Sequence, residues 1–427
     1  MQKPSKLRLI PAAILALWGG SAAASGFQLL EQNASGIGNS YAGSAAVAEN
    51  ASTVFYNPAG MTQLQAREFS AGLTAVQTSY KFTNGGSSTG ALSGNGGDGG
   101  GLGVIPNGYL SWALNKDLYV GIGFGAPFGL KTEYDNPWTG GAQSLKFDIK
   151  TYNINPSVAF RVSDKVSLGF GLNWQRMEAE YVRVVGINPA PIANVTPFPL
   201  NTSTAKLDAD DDSWGWNAGA LFTLSPATKV GVSYRSAIKH DLSGNLTVAG
   251  PYAPLNAASS SSAKAEIKLP DTLIVSVSQA LDDRWEMLGD LSWTGWSSIE
   301  KVDVIRGSGA LAQRLDTNFR DTWRVAFGAN YKYSDSIKLK YGIAYDQTPI
   351  RDPEHRLVSL PDNNRVWLSV GAQWKPSKAA ALDVGLAYLY VKDADIANNQ
   401  ANSLRGLVKG SFEDSAWIFG AQYSMHF

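Results

Sequence analysis

Chemistry in this chain has few carriers. Only three histidines occur in 427 residues, His240, His355 and His426, and there is no cysteine. Zero cysteine removes disulfide scaffolds, thiolate nucleophiles and zinc–thiolate sites together. His240 stands beside Asp241, yet neither it nor His426 has a serine at a telling spacing, so a hydrolase is set aside. No catalysis, cofactor or metal is expected. The remaining candidates are cations. By the alternation described below, Arg235, Lys239, Arg324 and Lys340 take the inward parity of strands, with Asp290 and Asp346 as neighbours able to pair with them. A cation inside an otherwise apolar channel offers a carboxylate a charge-assisted hydrogen bond.

A second constellation is made of absences. Gly121, Gly123, Gly125, Pro127 and Gly129 occupy one parity of a strand, while Val120, Ile122, Phe124, Ala126, Phe128 and Leu130 hold the other. Glycine at every inward position is expected to leave empty volume beside the wall. Pro127 cannot donate to a ladder, so pairing with a neighbouring strand should be interrupted there. The run Gly96-Gly97-Asp98-Gly99-Gly100 is a single copy and reads as a loop rather than a calcium repeat.

The elements that carry these residues follow from period two. Val166, Leu168, Phe170, Leu172 and Trp174 alternate with Ser167, Gly169, Gly171, Asn173 and Gln175, and residues 339–346 and 417–427 repeat the pattern. Such runs are strands with two unlike faces. They are about twice the length of a soluble strand of five or six residues and suit tilted membrane strands. Short turn signals sit at 115–117, 163–165, 225–227, 282–283, 334–336 and 376–378. Longer irregular stretches lie at 83–103, 131–146, 183–206, 247–263, 304–316, 351–361 and 393–408. Six turns alternating with seven loops give an all-β fold, a 14-stranded antiparallel transmembrane β-barrel. Trp112, Trp138, Trp214, Trp285, Trp323, Trp374 and Trp417 near strand ends fit interfacial girdles. Balanced charge, 36 basic against 36 acidic residues, argues against a nucleic-acid partner.

The amino-terminal region differs. Lys3, Lys6 and Arg8 precede an apolar stretch to Trp18, and Ala22-Ala23-Ala24 supplies small residues for cleavage, so residues 1–24 are expected to be a signal peptide. Residues 25–66 are rich in small residues and do not alternate; Ala42 to Glu49 could form a short helix. They are too polar to cross lipid, and a lumen of fourteen strands is too wide for wall side chains to fill. They are therefore expected to be an amino-terminal hatch, or plug, inside a barrel of residues 67–427. Asn57-Pro58 is a turn former within it.

The run from Gly26-Phe27-Gln28-Leu29 through Gly36, Tyr41-Ala42-Gly43 and Asn57-Pro58-Ala59 resembles the hatch of the FadL family of outer-membrane channels for long-chain fatty acids and related hydrophobic compounds. Pro127-Phe128-Gly129-Leu130, Asn155-Pro156-Ser157, Trp293-Thr294-Gly295-Trp296-Ser297, Pro361-Asp362 with Trp367-Leu368-Ser369, and Trp417-Ile418-Phe419-Gly420 extend the resemblance in family order. It implies a side window at Gly121, Gly123, Gly125, Pro127 and Gly129, matching a kinked third strand, and a hatch movement near Asn57, Pro58 and Ala59. It also implies basic ligand contacts at Arg183 and Arg314, added to Arg235, Arg324 and Lys340, and a capture groove from the apolar outer loops at Ile187, Ile192, Phe198, Val248 and Tyr252. The expected partners are a long-chain fatty acid or other hydrophobic small molecule and the lipid of the bacterial outer membrane, with the protein a monomer. The alternatives are uptake of a toluene-like aromatic hydrocarbon and a general polar porin.

Overall fold

The computed structural model describes residues 26–188 and 200–427. The expected leader, residues 1–24, and two of the groove residues, Ile192 and Phe198, lie outside the described residues.

Fourteen antiparallel strands form a closed barrel. They are β1 (Arg67–Asn84), β2 (Leu102–Ala113), β3 (Leu118–Gly125 and Gly129–Glu133), β4 (Lys146–Ser163), β5 (Val166–Val184), β6 (Thr204–Ser225) and β7 (Thr228–Arg235 and Ile238–Ala249). Then come β8 (Ser261–Leu269 and Thr272–Ala280), β9 (Trp285–Thr294 and Lys301–Arg306), β10 (Leu311–Asp316 and Thr322–Lys332), β11 (Ile337–Asp346), β12 (Arg365–Ser377), β13 (Ala380–Val391 and Ala394–Asn399) and β14 (Leu407–His426). Each strand pairs with the next, and β1 closes on β14 from Glu68↔His426 to Asn84↔Gly410. Closure removes the free edges that lipid cannot solvate.

Alternation is inside out relative to a soluble protein. On β5, Leu168, Phe170 and Leu172 are exposed while Ser167, Asn173 and Gln175 are buried. Outward apolar side chains suit lipid, and inward polar ones face a filled lumen. Trp112, Trp214, Trp285, Trp323, Trp374 and Trp417 are exposed as girdle residues should be. Trp138 is not: it is fully buried in the loop after β3, donating to Ser144 O and stacking on Tyr134. The stretch expected as a loop at 304–316 is largely a hairpin, because β9 and β10 stay paired from Lys301↔Asp316 to Ile305↔Leu311.

Three parity assignments fail, at two strand breaks. Ser236 and Ala237 interrupt β7, and beyond them Lys239 faces outward, half exposed and paired with Asp241 and Glu266. In β3 the break at residues 126–128 turns Phe128 and Leu130 from the lipid parity to the interior, where both are buried.

Residues 26–66 run through the lumen. The helix expected at Ala42 to Glu49 is absent: Ser40, Tyr41, Gly43 and Ala48 have positive φ, which a right-handed helix cannot contain. Helical turns occur instead at Ile37–Asn39, Thr53–Tyr56 and Pro58–Gln63. Wall glycines let this backbone touch the barrel. A Cβ on Gly231 would lie 1.9 Å from Ala45 O, and one on Gly169 would lie 2.3 Å from Ala59 N. Polar bonds complete the seat. Asn57 Nδ2 donates to Ala45 O at 2.7 Å and Ala220 O at 3.0 Å, and Lys340 Nζ meets Glu49, Asp383 and Ser35 O.

Candidate functional site at the broken strand

The wall is incomplete at β3. Its first piece pairs with β2 from Gly108↔Phe124 to Ala113↔Tyr119. Above that point Leu102 to Asn107 of β2 pair with β1 alone, and Gly129 to Glu133 pair with β4 alone. Opposite β4, three residues of β3 between Gly125 and Gly129 face two, Thr151 and Tyr152. Pro127, which brings no N–H, occupies this bulge.

The amino-terminal segment supplies what the ladder lacks. Gln32 Nε2 donates to Ala126 O at 2.7 Å, and Ala126 N donates to Gln32 Oε1 at 3.0 Å. Leu29 N donates to Pro127 O at 2.8 Å and Gly129 N to Phe27 O at 2.9 Å, so residues 27–29 form a short antiparallel bridge around Gln28↔Phe128. Thr151 Oγ1 takes the N–H of Phe128 and donates back to its carbonyl. The inward glycines do not leave empty volume, contrary to the expectation. A Cβ on Gly121 would meet Met61 Sδ at 2.5 Å, one on Gly123 the Tyr109 ring at 2.8 Å, and one on Gly125 Gln32 Oε1 at 2.3 Å. The space beside the wall is taken by the segment itself and by Tyr109.

Immediately inside this break lies a cavity of about 50 Å³. Its apolar side is Leu29, Leu30, Phe55, Tyr56, Pro127 and Phe128, and its polar side includes Arg235, Arg324 and Asp346. Phe27, Phe128 and Trp296 form an aromatic cluster alongside, with centroids 5.0–6.3 Å apart. Arg324 donates to Ser40 O at 2.6 Å and faces Asp346, its cross-strand partner. Arg235 donates to Phe55 O at 2.9 Å and to Asn173 Oδ1, with its guanidinium 4.1 Å from the Phe55 ring centroid.

The other cations stand elsewhere. Lys340 is buried between Glu49 and Asp383, anchoring the segment at the short-turn end. Arg183 is buried near the long-loop end, with Nη1 on Val184 O and Val185 O. Arg314 is a correction: it lies on the outer surface, about half exposed, in a two-pronged pair with Asp303 of the neighbouring strand. Asp303 captures it because both take the outward parity of the hairpin that replaced the expected loop. Of the groove residues, Val248 is buried in the apolar core formed by the inner faces of the long-loop hairpins. Ile187 packs against a neighbouring core, and Tyr252 is exposed before a short helix, Ala253–Ser259. The structure does not join these three in one groove.

Sequence reasoning missed Gln32 and Glu31. Gln32 caps the broken strand, and a lone glutamine gives no periodic signal. Glu31 is fully buried, and no donor from another described residue reaches its two carboxylate oxygens. Burial pushes this carboxyl up to about 7, against the pull of its own backbone amide, Arg365 and Arg324. His240 is buried between Asp211 Oδ2 and Gln175 Oε1, so both ring nitrogens are occupied. Among the described residues no group of His, Asp and Glu could hold a metal ion.

Comparison with known proteins gives concordant matches. The family model described as "Outer membrane protein transport protein (OMPP1/FadL/TodX)" matches residues 15–427. The chain is 28% identical to the long-chain fatty acid transport protein of Escherichia coli (strain K12), covering 97% of both chains. It is 31% identical to outer membrane protein P1 of Haemophilus influenzae, covering 91% of this chain and 90% of that one. Its fold is similar to a Pseudomonas aeruginosa FadL homologue, with a TM-score of 0.84 at 22% identity over 94% of this chain and 99% of that one. It is also similar to the Pseudomonas putida toluene transporter TodX, with a TM-score of 0.68 at 16% identity over 95% of this chain and 100% of that one.

Proposed function

The chain belongs to the outer membrane transport protein family (OMPP1/FadL/TodX), and we propose that it takes up hydrophobic compounds, long-chain fatty acids foremost, by passive passage into the outer membrane. The observation that carries this reading is the unpaired stretch of wall beside β3, closed by a segment of the chain rather than by a strand. A polar pore needs no opening toward lipid. An amphiphile does, because each CH₂ kept from water is worth about 0.8 kcal/mol.

The path has three stages. A ligand is gathered at the long-loop end, where the hairpins present an apolar interior that includes Val248 and where Ile187 and Tyr252 lie near the mouth. It then enters the cavity behind the break, with its tail against Leu29, Leu30 and Phe128 and its head group toward the arginines. A drug-sized ligand needs about 300 Å³ or more, so the cavity of about 50 Å³ must grow. The segment around Asn57, Pro58 and Ala59 is the hatch that moves. Withdrawal of residues 27–32 from Ala126, Pro127 and Gly129 uncovers the side window beside Gly121, Gly123 and Gly125. The gradient drives the ligand, and no energy source is invoked. The aromatic cluster of Phe27, Phe128 and Trp296 favours a second reading, an aromatic hydrocarbon as cargo.

Because the chain has no cysteine, a reversible test is available. Gln28→Cys with Phe128→Cys joins the two members of the antiparallel bridge, a spacing compatible with a disulfide. In a host lacking its own fatty-acid channel, the reduced variant should import oleate and the oxidised one should not. Import through the oxidised protein would rule out the side window. Import of toluene but not oleate by the parent would transfer the assignment to hydrocarbons.

A further inference from the structure

We propose that Arg235 is a charge-sensitive latch: the guanidinium that receives a ligand's carboxylate is the same group that holds the amino-terminal segment closed at Phe55. The proposal rests on the uptake reading above and names the ligand feature that triggers it, an anionic head group on an apolar tail.

The lumen cations differ in what balances them. Lys340 has Glu49 and Asp383, Arg365 has Asp362, and Arg324 faces Asp346 across a strand pair. Arg235 lines the cavity, and among the described residues no carboxylate stands within ion-pair distance of it. Its partners are neutral: the carbonyl of Phe55, the amide oxygen of Asn173, and the face of the Phe55 ring. Partly desolvated cations are costly without an anion, so of the two arginines that line the cavity Arg235 has more to gain from a carboxylate than Arg324.

Both of its grips on Phe55 depend on its positive charge. The bond to the carbonyl is charge-assisted, and the ring contact is an attraction between a cation and a quadrupole. A carboxylate arriving in the cavity neutralises the guanidinium and weakens both at once. Phe55 belongs to the helical turn Thr53–Tyr56, which ends on Asn57, whose amide ties the segment to Ala220 of the wall. Phe55 also lines the cavity, so its departure enlarges the space that the tail needs. An alcohol or a hydrocarbon has no charge to spend on Arg235 and leaves the latch shut. Selectivity for acids over equally apolar neutral molecules thus comes from opening rather than from fit.

The test uses the full mature chain in detergent, with Gln63→Cys and Asp283→Cys as the sole cysteines. Both positions are exposed at the short-turn end. Spin labels there report the position of the amino-terminal segment against the wall, while binding is followed with oleate and with oleyl alcohol, which share one tail. Oleate should shift the distance distribution and oleyl alcohol should not. Arg235→Met should lower oleate affinity by tenfold or more, change oleyl alcohol affinity less than twofold, and show the shifted distribution without ligand. Arg235→Lys, which keeps the charge but not the planar fork, should restore the closed distribution. Equal shifts with both ligands, or an unliganded Arg235→Met protein indistinguishable from the parent, would overturn the latch. Should Arg235→Met not insert, the comparison of the two ligands on the parent decides alone. Uptake of oleate with labels insensitive to its charge defeats the latch and spares the channel; a parent that neither binds nor imports oleate defeats both.

Discussion

At the scale of single residues, the lumen stores charge where water cannot relieve it. Glu31 is the sharpest case, with both oxygens buried away from any donor of another described residue and its carboxyl raised from 4.5 to about 7. A raised carboxyl binds its proton in the folded chain at pH values where the unfolded chain has lost it. Stability therefore falls as pH rises from about 4.5 through 7. Glu31→Gln should raise the thermal unfolding temperature in detergent at pH 8, by the equivalent of about 3 kcal/mol at most, and leave it nearly unchanged at pH 4. An equal gain at both pH values would mean that the charge is not what costs stability. Inward cations were legible from parity alone at Arg235, Arg324 and Lys340. Their partners were not, because Phe55 O, Ser40 O and Glu49 reach them through the fold rather than along the strand.

At the scale of elements, period two and turn chemistry carried most of the architecture. All six short turns fall between consecutive strands, since each strand face must keep its parity for ten or more residues. Parity stops being readable where a strand breaks, which is why Lys239, Phe128 and Leu130 turned over; Arg314 lies outside because the stretch expected as a loop is a paired hairpin. The break in β3 announced itself through Pro127, but its repair did not. Gln32 satisfies both polar groups of Ala126 from a distant part of the chain. Gln32→Ala should leave those two groups to find other partners at a cost of about 2 kcal/mol. The expected outcome is entry of a hydrophobic fluorescent dye into cells about tenfold faster, at matched protein levels in the outer membrane. Unchanged entry would show that the segment closes the wall by bulk alone.

For the whole molecule, the barrel's strand ladder closes on itself, while packing and hydrogen bonds tie the inner segment to its wall. The ladder closes through β1 and β14 without help from residues 26–66. A chain with residues 26–66 deleted and residues 1–25 kept should still insert and migrate as a heat-modifiable barrel. In planar bilayers it should pass a steady ion current where the full chain passes none. A barrel that fails to assemble would make the segment part of the fold rather than its stopper. The sequence distinguished the two regions because one alternates and the other does not; it could not show how closely they interlock, which depends on wall glycines such as Gly169 and Gly231 meeting backbone.

The repaired gap also sets how often the wall stands open by chance. Four hydrogen bonds among the described residues span it: two between Gln32 and Ala126, one from Leu29 N to Pro127 O and one from Gly129 N to Phe27 O. At about 1 kcal/mol each, losing them costs about 4 kcal/mol, an idle open fraction of about one in a thousand. An outer membrane can tolerate thousands of such doors, because at any instant only a few are ajar, and the cargo itself must bring the free energy that makes opening common.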